Sequence, residues 1–204
     1  MRPSSSYTEL GRCSMASDEQ QRRMKREYDE GTPVERKKVA DEKCESTIHE
    51  AGHVVMKWLV YGTPGSARIW QDDKGGWRGE CDPDRPREAK EAMARGDCQV
   101  LEREVLVAVA GGVATDLAGG CAQWFDPRAR CADDFKSAIE LLCRRKGNGF
   151  NHRGDFERQV ERAKPLLEEN WGSIEALANV LCEELCVSNC RAEEVIGAAV
   201  KRGD

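Results

Sequence analysis

Histidine is scarce in this chain, with three residues among 204, and aromatic side chains make up only 6%. No apolar run approaches the roughly 18 to 20 residues needed to cross a bilayer. The first twenty residues are Ser-rich and charged, without the apolar stretch of a secretory signal. The expectation is a soluble, cytoplasmic protein with no membrane partner. Ten cysteines would suggest a disulfide framework in a secreted chain. Without an export signal they read as free thiols. No two of them form C-x-x-C, which argues against a zinc ribbon. A G-x-x-x-x-G-K-S/T phosphate loop is also absent, so nothing here reads as an ATP-driven motor. The formal net charge of -5 gives no general reason to expect nucleic acid as a partner.

What is present is concentrated in one stretch, His49-Glu50-Ala51-Gly52-His53, an H-E-x-x-H pattern inside a helix-compatible apolar run. Residues four apart on a helix lie one above the other, so His49 and His53 can reach a single metal ion. Glu50 can approach a water on that metal without ligating it. Two imidazoles, an open position and an adjacent carboxylate are the parts of a zinc hydrolase. A catalytic zinc needs a third protein ligand, and spacing alone does not choose among Glu102, Glu104, Asp116, Asp133 and Asp134.

The surrounding pattern reads as mainly helical. Residues 1 to 31 form a polar arm with little to bury, and 32 to 204 form one domain. Thr32-Pro33-Val34-Glu35 has a cap, a proline for the first helical position and a capping-box acid, so the metal helix spans about 33 to 60. Gly52, between the ligands, lowers helix propensity by about 1 kcal/mol relative to Ala. It makes sense if another backbone passes close by. Residues 66 to 80 read as a small β-hairpin turning at Asp72-Asp73-Lys74-Gly75, the only β element expected.

Further helices are expected at 88 to 95, 97 to 118, 133 to 145, 155 to 185 with a kink at Pro165 or near Trp171-Gly172, and 191 to 201. The helix through Val105 to Ala114 is apolar nearly all round and so should be buried, with Gly111, Gly112 and Ala114 small enough to admit a neighbour. Leu166, Leu167, Trp171, Ile174, Leu177, Leu181 and Leu185 recur at helical spacing as core. Cys182, Cys186 and Cys190 would make a thiol stripe, read as small buried hydrophobes. His152 reads as an ordinary surface residue of a loop. As a further ligand it would close the site, and as a donor it would assist catalysis.

Three segments in order carry a family resemblance: His49-Glu50-Ala51-Gly52-His53, then Gly111-Gly112-Val113-Ala114-Thr115-Asp116, then Ala132-Asp133-Asp134-Phe135. Over roughly residues 33 to 200 the chain resembles the FtsH-type zinc peptidases. Those show H-E-A-G-H, a G-G-x-A-x-E helix and an S-N-D segment whose Asp is the third zinc ligand. The helix from Trp171 to Leu185 is similar to their C-terminal helix. The resemblance implies a zincin-like helical peptidase domain with one small hairpin, with zinc held by His49, His53 and Asp134. Asp133 is the alternative third ligand, or it would orient a ligand without touching the metal, as Asp116 would.

It also implies a zinc metalloendopeptidase in which Glu50 is the general base toward a zinc-bound water, with the hairpin strand at 66 to 71 pairing an extended peptide. Family members join this domain to a membrane anchor and an AAA+ ATPase. Lacking both motifs, the sequence implies an ATP-independent peptidase acting on peptides or on unfolded or flexible protein, or one relying on a separate ATPase or partner protein. The competing expectation is a catalytically silent, zinc-binding interaction module on the same scaffold.

Overall fold

The computed structural model describes residues 33–82, 85–120, 122, 124, 131–146 and 152–203, with 33–40, 146, 152 and 201–203 described by backbone alone. The expected polar arm and the capping Thr32 lie outside the described residues. Among those described, seven helices and three short strands follow in the order α1 (Pro33–Tyr61), β1 (Ala67–Gln71), β2 (Trp77–Cys81), α2 (Arg87–Ala94), α3 (Cys98–Leu117), α4 (Ala132–Lys146), α5 (His152–Glu169), α6 (Trp171–Glu184), β3 (Cys186–Val187) and α7 (Asn189–Gly203). The architecture is mainly helical, as the pattern implied. No helix among the described residues is long and apolar enough to cross a membrane.

Helix α3 is the centre of the packing, touching α1, α4 and α5 most extensively. Its apolar circumference explains this: Leu101, Val105, Val109, Ala110 and Ala114 are fully buried, and no single face could be left to solvent. Its start is fixed by Asp97, whose carboxylate accepts from the backbone N–H groups of Gln99 and Val100 at 2.9 and 3.2 Å. Helix α1 crosses α3 at Gly52. A Cβ there would lie 2.7 Å from the Ala114 Cβ and 2.8 Å from the Ala110 carbonyl oxygen. The expected close backbone is therefore α3 itself, and the propensity lost at Gly52 is exchanged for contact that no other residue permits. On either side, Ala51, Val54, Val55 and Met56 are wholly buried. The larger of these contribute roughly 1.5–3 kcal/mol each.

The hairpin forms where expected. Asp72 turns it by accepting from the N–H groups of Lys74 and Gly76, and Gly75 supplies a φ of 80°. The sheet differs from the expectation in having a third strand, in the order β2-β1-β3. β1 is antiparallel to both neighbours, pairing Ala67 with Cys81 and with Val187. The extra strand exists because α6 ends at Leu185, whose left-handed φ of 63° swings the chain onto β1. A two-residue strand has no periodicity to read, and its pairing is wholly tertiary. β1 is thus the central strand, and the strand with an outer edge beside the site is β2.

The long C-terminal helix expected at 155–185 is two helices; the break falls at Asn170, beside the expected kink near Trp171-Gly172, while Pro165 lies inside α5. Its core residues hold: Leu167, Ile174, Leu177, Leu181 and Leu185 are buried, while Leu166 and Trp171 are half-buried against them. The thiol stripe does not survive the turn at Leu185. Cys182, Cys186 and Cys190 fall on α6, β3 and α7, half-buried, half-buried and exposed. The described cysteines are all free thiols. His152, expected in a loop, is the first residue of α5, and its side chain lies outside the described ones.

Candidate metal centre

His49 and His53 stand one turn apart on the buried face of α1, and their Nε2 atoms lie 3.2 Å from each other. The first turn of α4 brings Asp134 to them from across the fold. Its Oδ2 is 2.9 Å from His49 Nε2 and 3.4 Å from His53 Nε2. Tetrahedral zinc with ligands at about 2.0–2.2 Å separates ligand atoms by roughly 3.3–3.6 Å. The three atoms therefore form a triangle within a few tenths of an ångström of one face of such a site. Aromatic packing fixes α4 there: Phe135, next to the ligand, sets its ring edge-on to Phe156, with centroids 5.0 Å apart. Phe156 packs in turn on Trp124, which lies over Gly112.

The opposing face of α3 is matched to the imidazoles. Val107, Gly111 and Thr115 are spaced four apart, as are His49 and His53. The Val107 carbonyl oxygen is 2.7 Å from His53 Nδ1. A carbonyl can only accept, so Nδ1 carries a proton in either charge state, which leaves Nε2 as the nitrogen able to bind a metal once its own proton is displaced. Gly111 makes room: a Cβ there would press on His53 Nε2 and lie 2.7 Å from His49 Nε2. At the far end, His49 Nδ1 faces Thr115 Oγ1 at 3.5 Å and Cys131 Sγ at 3.9 Å.

The donor set fits a cation. Asp134 Oδ2 is buried and has no aligned hydrogen bond, although both imidazoles crowd it. Three acceptor atoms aimed at one point need either a metal ion or a proton between them. The electrostatics register the proton. Burial works against a charged His53, yet the Asp134 carboxylate, with lesser help from Glu50 and the Val107 carbonyl, raises its pKa from 6.5 to about 9. Burial likewise pushes the Asp134 carboxyl up, but His53 and His49 outweigh it and hold Asp134 well below the usual carboxylate range.

Glu50 is 4% exposed and reaches the site from the side of β2. The strand can lie against it because residue 79 is glycine; a Cβ there would be 2.5 Å from Glu50 Cγ. His49, Glu50, His53, Asp134 and residues 78–81 of β2 line one open cleft of about 380 Å³. Lys57, one helical repeat beyond His53, is buried in its wall and donates to the Asp82 carbonyl at 2.6 Å.

The other acids go elsewhere. Asp133 is exposed at the cleft rim. Asp116 is exposed and accepts from the Ala122 N–H at 2.7 Å, bracing the chain beyond α3 and touching neither imidazole. Glu104 is buried against Arg85 and Tyr61. Glu102 pairs with Arg145 and Arg162. Val107, Thr115 and Cys131 were not singled out from the sequence. The readable signal was Thr115, a hydroxyl in step with Gly111 on an apolar helix. No protein-family model matches this chain, and no match is found among curated proteins.

Proposed function

We propose that this chain is a zinc metallopeptidase that hydrolyses peptide bonds without using ATP itself. The observation that carries the reading is the convergence of His49 Nε2, His53 Nε2 and Asp134 Oδ2 on one point of an open cleft that Glu50 shares. A closed four-residue cage would read as structural; three ligands beside a cleft and a carboxylate read as catalytic. Zinc held there would supply a Lewis acid for the scissile carbonyl and acidify the attacking water.

The protein's own groups supply the rest. Glu50 accepts the proton of the water that adds to the carbonyl carbon. It returns that proton to the amine as the C–N bond breaks, so no net proton is consumed. Its burial beside the imidazoles keeps it close to the reacting atoms. The outer edge of β2 offers main-chain groups to an extended peptide, which would bind it with little regard to sequence. Gly79 permits that strand to come within reach of Glu50.

The test compares zinc content and casein digestion in the parent and Glu50→Gln. The substitution keeps all three ligands and removes the base, so zinc should stay stoichiometric while cleavage falls by about 10²–10⁴-fold. Equal digestion by both would overturn the mechanism. A zinc-loaded parent that cuts no unfolded protein, yet retains a peptide in a stable complex, would overturn the enzyme reading in favour of an interaction module.

A further inference from the structure

We propose that Thr115 is the positioning residue that holds His49 in the tautomer a metal ion requires. The inference rests on the reading that His49 Nε2 is a ligand. A neutral imidazole has one N–H, and whichever nitrogen carries it cannot bind metal. The proton must therefore be kept on Nδ1, and something must accept from it. Thr115 Oγ1 lies 3.5 Å from that nitrogen, and also 3.0 Å from the Gly111 carbonyl oxygen one turn back along α3. A carbonyl only accepts, so the hydroxyl proton is committed to Gly111, and the oxygen turns lone pairs toward His49. The hydroxyl cannot then donate to Nδ1, and the proton of that contact has to come from the imidazole.

Burial makes the choice binding. His49, Thr115 and Cys131 are 3%, 5% and 2% exposed, so solvent does not offer a substitute acceptor. Cys131 Sγ, 3.9 Å from the same nitrogen, shares the contact as a weaker acceptor, consistent with both distances being long. The two ligands are thus secured differently: His53 by the backbone of Val107, which no substitution removes, and His49 by a side chain, which one does.

The experiment measures zinc affinity by chelator competition in the parent, Thr115→Val and Thr115→Ser, beside the melting temperatures of the metal-free proteins. Valine keeps the shape and loses the acceptor, so zinc should bind about 10–100-fold more weakly, while serine should stay within about threefold of the parent. Should valine also lower the metal-free melting temperature, the gap in zinc affinity between valine and serine decides, because packing alone would weaken both. Thr115→Val binding zinc like the parent, or serine as weakly as valine, overturns the proposal. A parent that binds no zinc defeats the ligand reading together with this one. Affinity is read without any substrate, so failure to cut peptides leaves the result for Thr115 standing.

Discussion

Gly111→Ala should separate metal binding from folding. In an ordinary helix interior the change gains up to about 1 kcal/mol of propensity. Gly111 has no positive φ, so the backbone conformation tolerates alanine. Its Cβ, however, would press on His53 Nε2 and lie 2.7 and 2.8 Å from His49 Nε2 and Cε1. Helix α3 cannot back away freely, because Gly52 is nested between Ala110 and Ala114 just beside it. Overpacking of this kind costs roughly 1–3 kcal/mol, leaving a net loss of about 0–2 kcal/mol after the propensity gain. For a chain of this size that lowers the metal-free melting temperature by at most about 8 °C. The imidazoles give way first, since they are side chains and the helix is not. Moving them breaks the ligand triangle, so zinc affinity should fall by at least about 100-fold, beyond what losing an outer partner of a ligand costs. Calorimetric melting of the metal-free protein and chelator competition measure the two effects separately. Zinc affinity within about threefold of the parent would refute the claim that α3 touches the ligand atoms.

Two further predictions follow from the centre. Asp134→Ala should strip the metal, because it removes one of three converging atoms, while Asp133→Ala, at an exposed position, should leave zinc content unchanged; elemental analysis decides, and the reverse pattern would exchange the two roles. Zinc and a proton compete for His53, whose pKa stands at about 9 in the metal-free protein. Apparent zinc affinity should therefore rise by up to about tenfold per pH unit from pH 7 and level off above pH 9, with about one proton released per ion bound at pH 7.5. The stability that the raised pKa gives the metal-free fold has the opposite sign: it is full below pH 6.5 and lost as pH rises through 9. Titration calorimetry in buffers of different ionisation enthalpy counts the proton, and a count near zero would show that His53 is already neutral.

What could be read from the sequence was what is local. H-E-x-x-H announces itself because four residues make one turn, and the helix carrying it runs as its proline and glycine punctuation indicated. The third ligand is not local: spacing alone left five acids equal, and only the family resemblance pointed to Asp134. The fold separates them by what meets them: arginines at Glu102 and Glu104, a backbone N–H at Asp116, solvent at Asp133 and two imidazoles at Asp134. Gly52 could be read as a place of close approach, and Gly111 as small, but nothing in the letters said that imidazoles would fill the space. Val107 is the limiting case. It acts through its carbonyl, which every residue possesses, so its identity carries no signal. A kink near Trp171-Gly172 could be read, but the full break at Asn170 and the strand at Cys186 were hidden because the leucine spacing continues almost unchanged across the turns.

The register between α1 and α3 explains how a few small residues can define the whole centre. His53 meets Val107 and His49 meets Thr115, so the two helices run in opposite directions with Gly111 between the rings. The three positions on α3 have three different tasks at one spacing: a carbonyl to orient one imidazole, a gap to admit both, and a hydroxyl beside the other. A slip of α3 by one turn would set the gap against a single ring and a wrong group against each Nδ1. Gly52 lets the helices close at the present register, where Ala110 and Ala114 flank it. The same missing Cβ that weakens α1 as a helix therefore brings its ligands within reach of their supports, and the cost in local propensity accompanies the close approach the site needs.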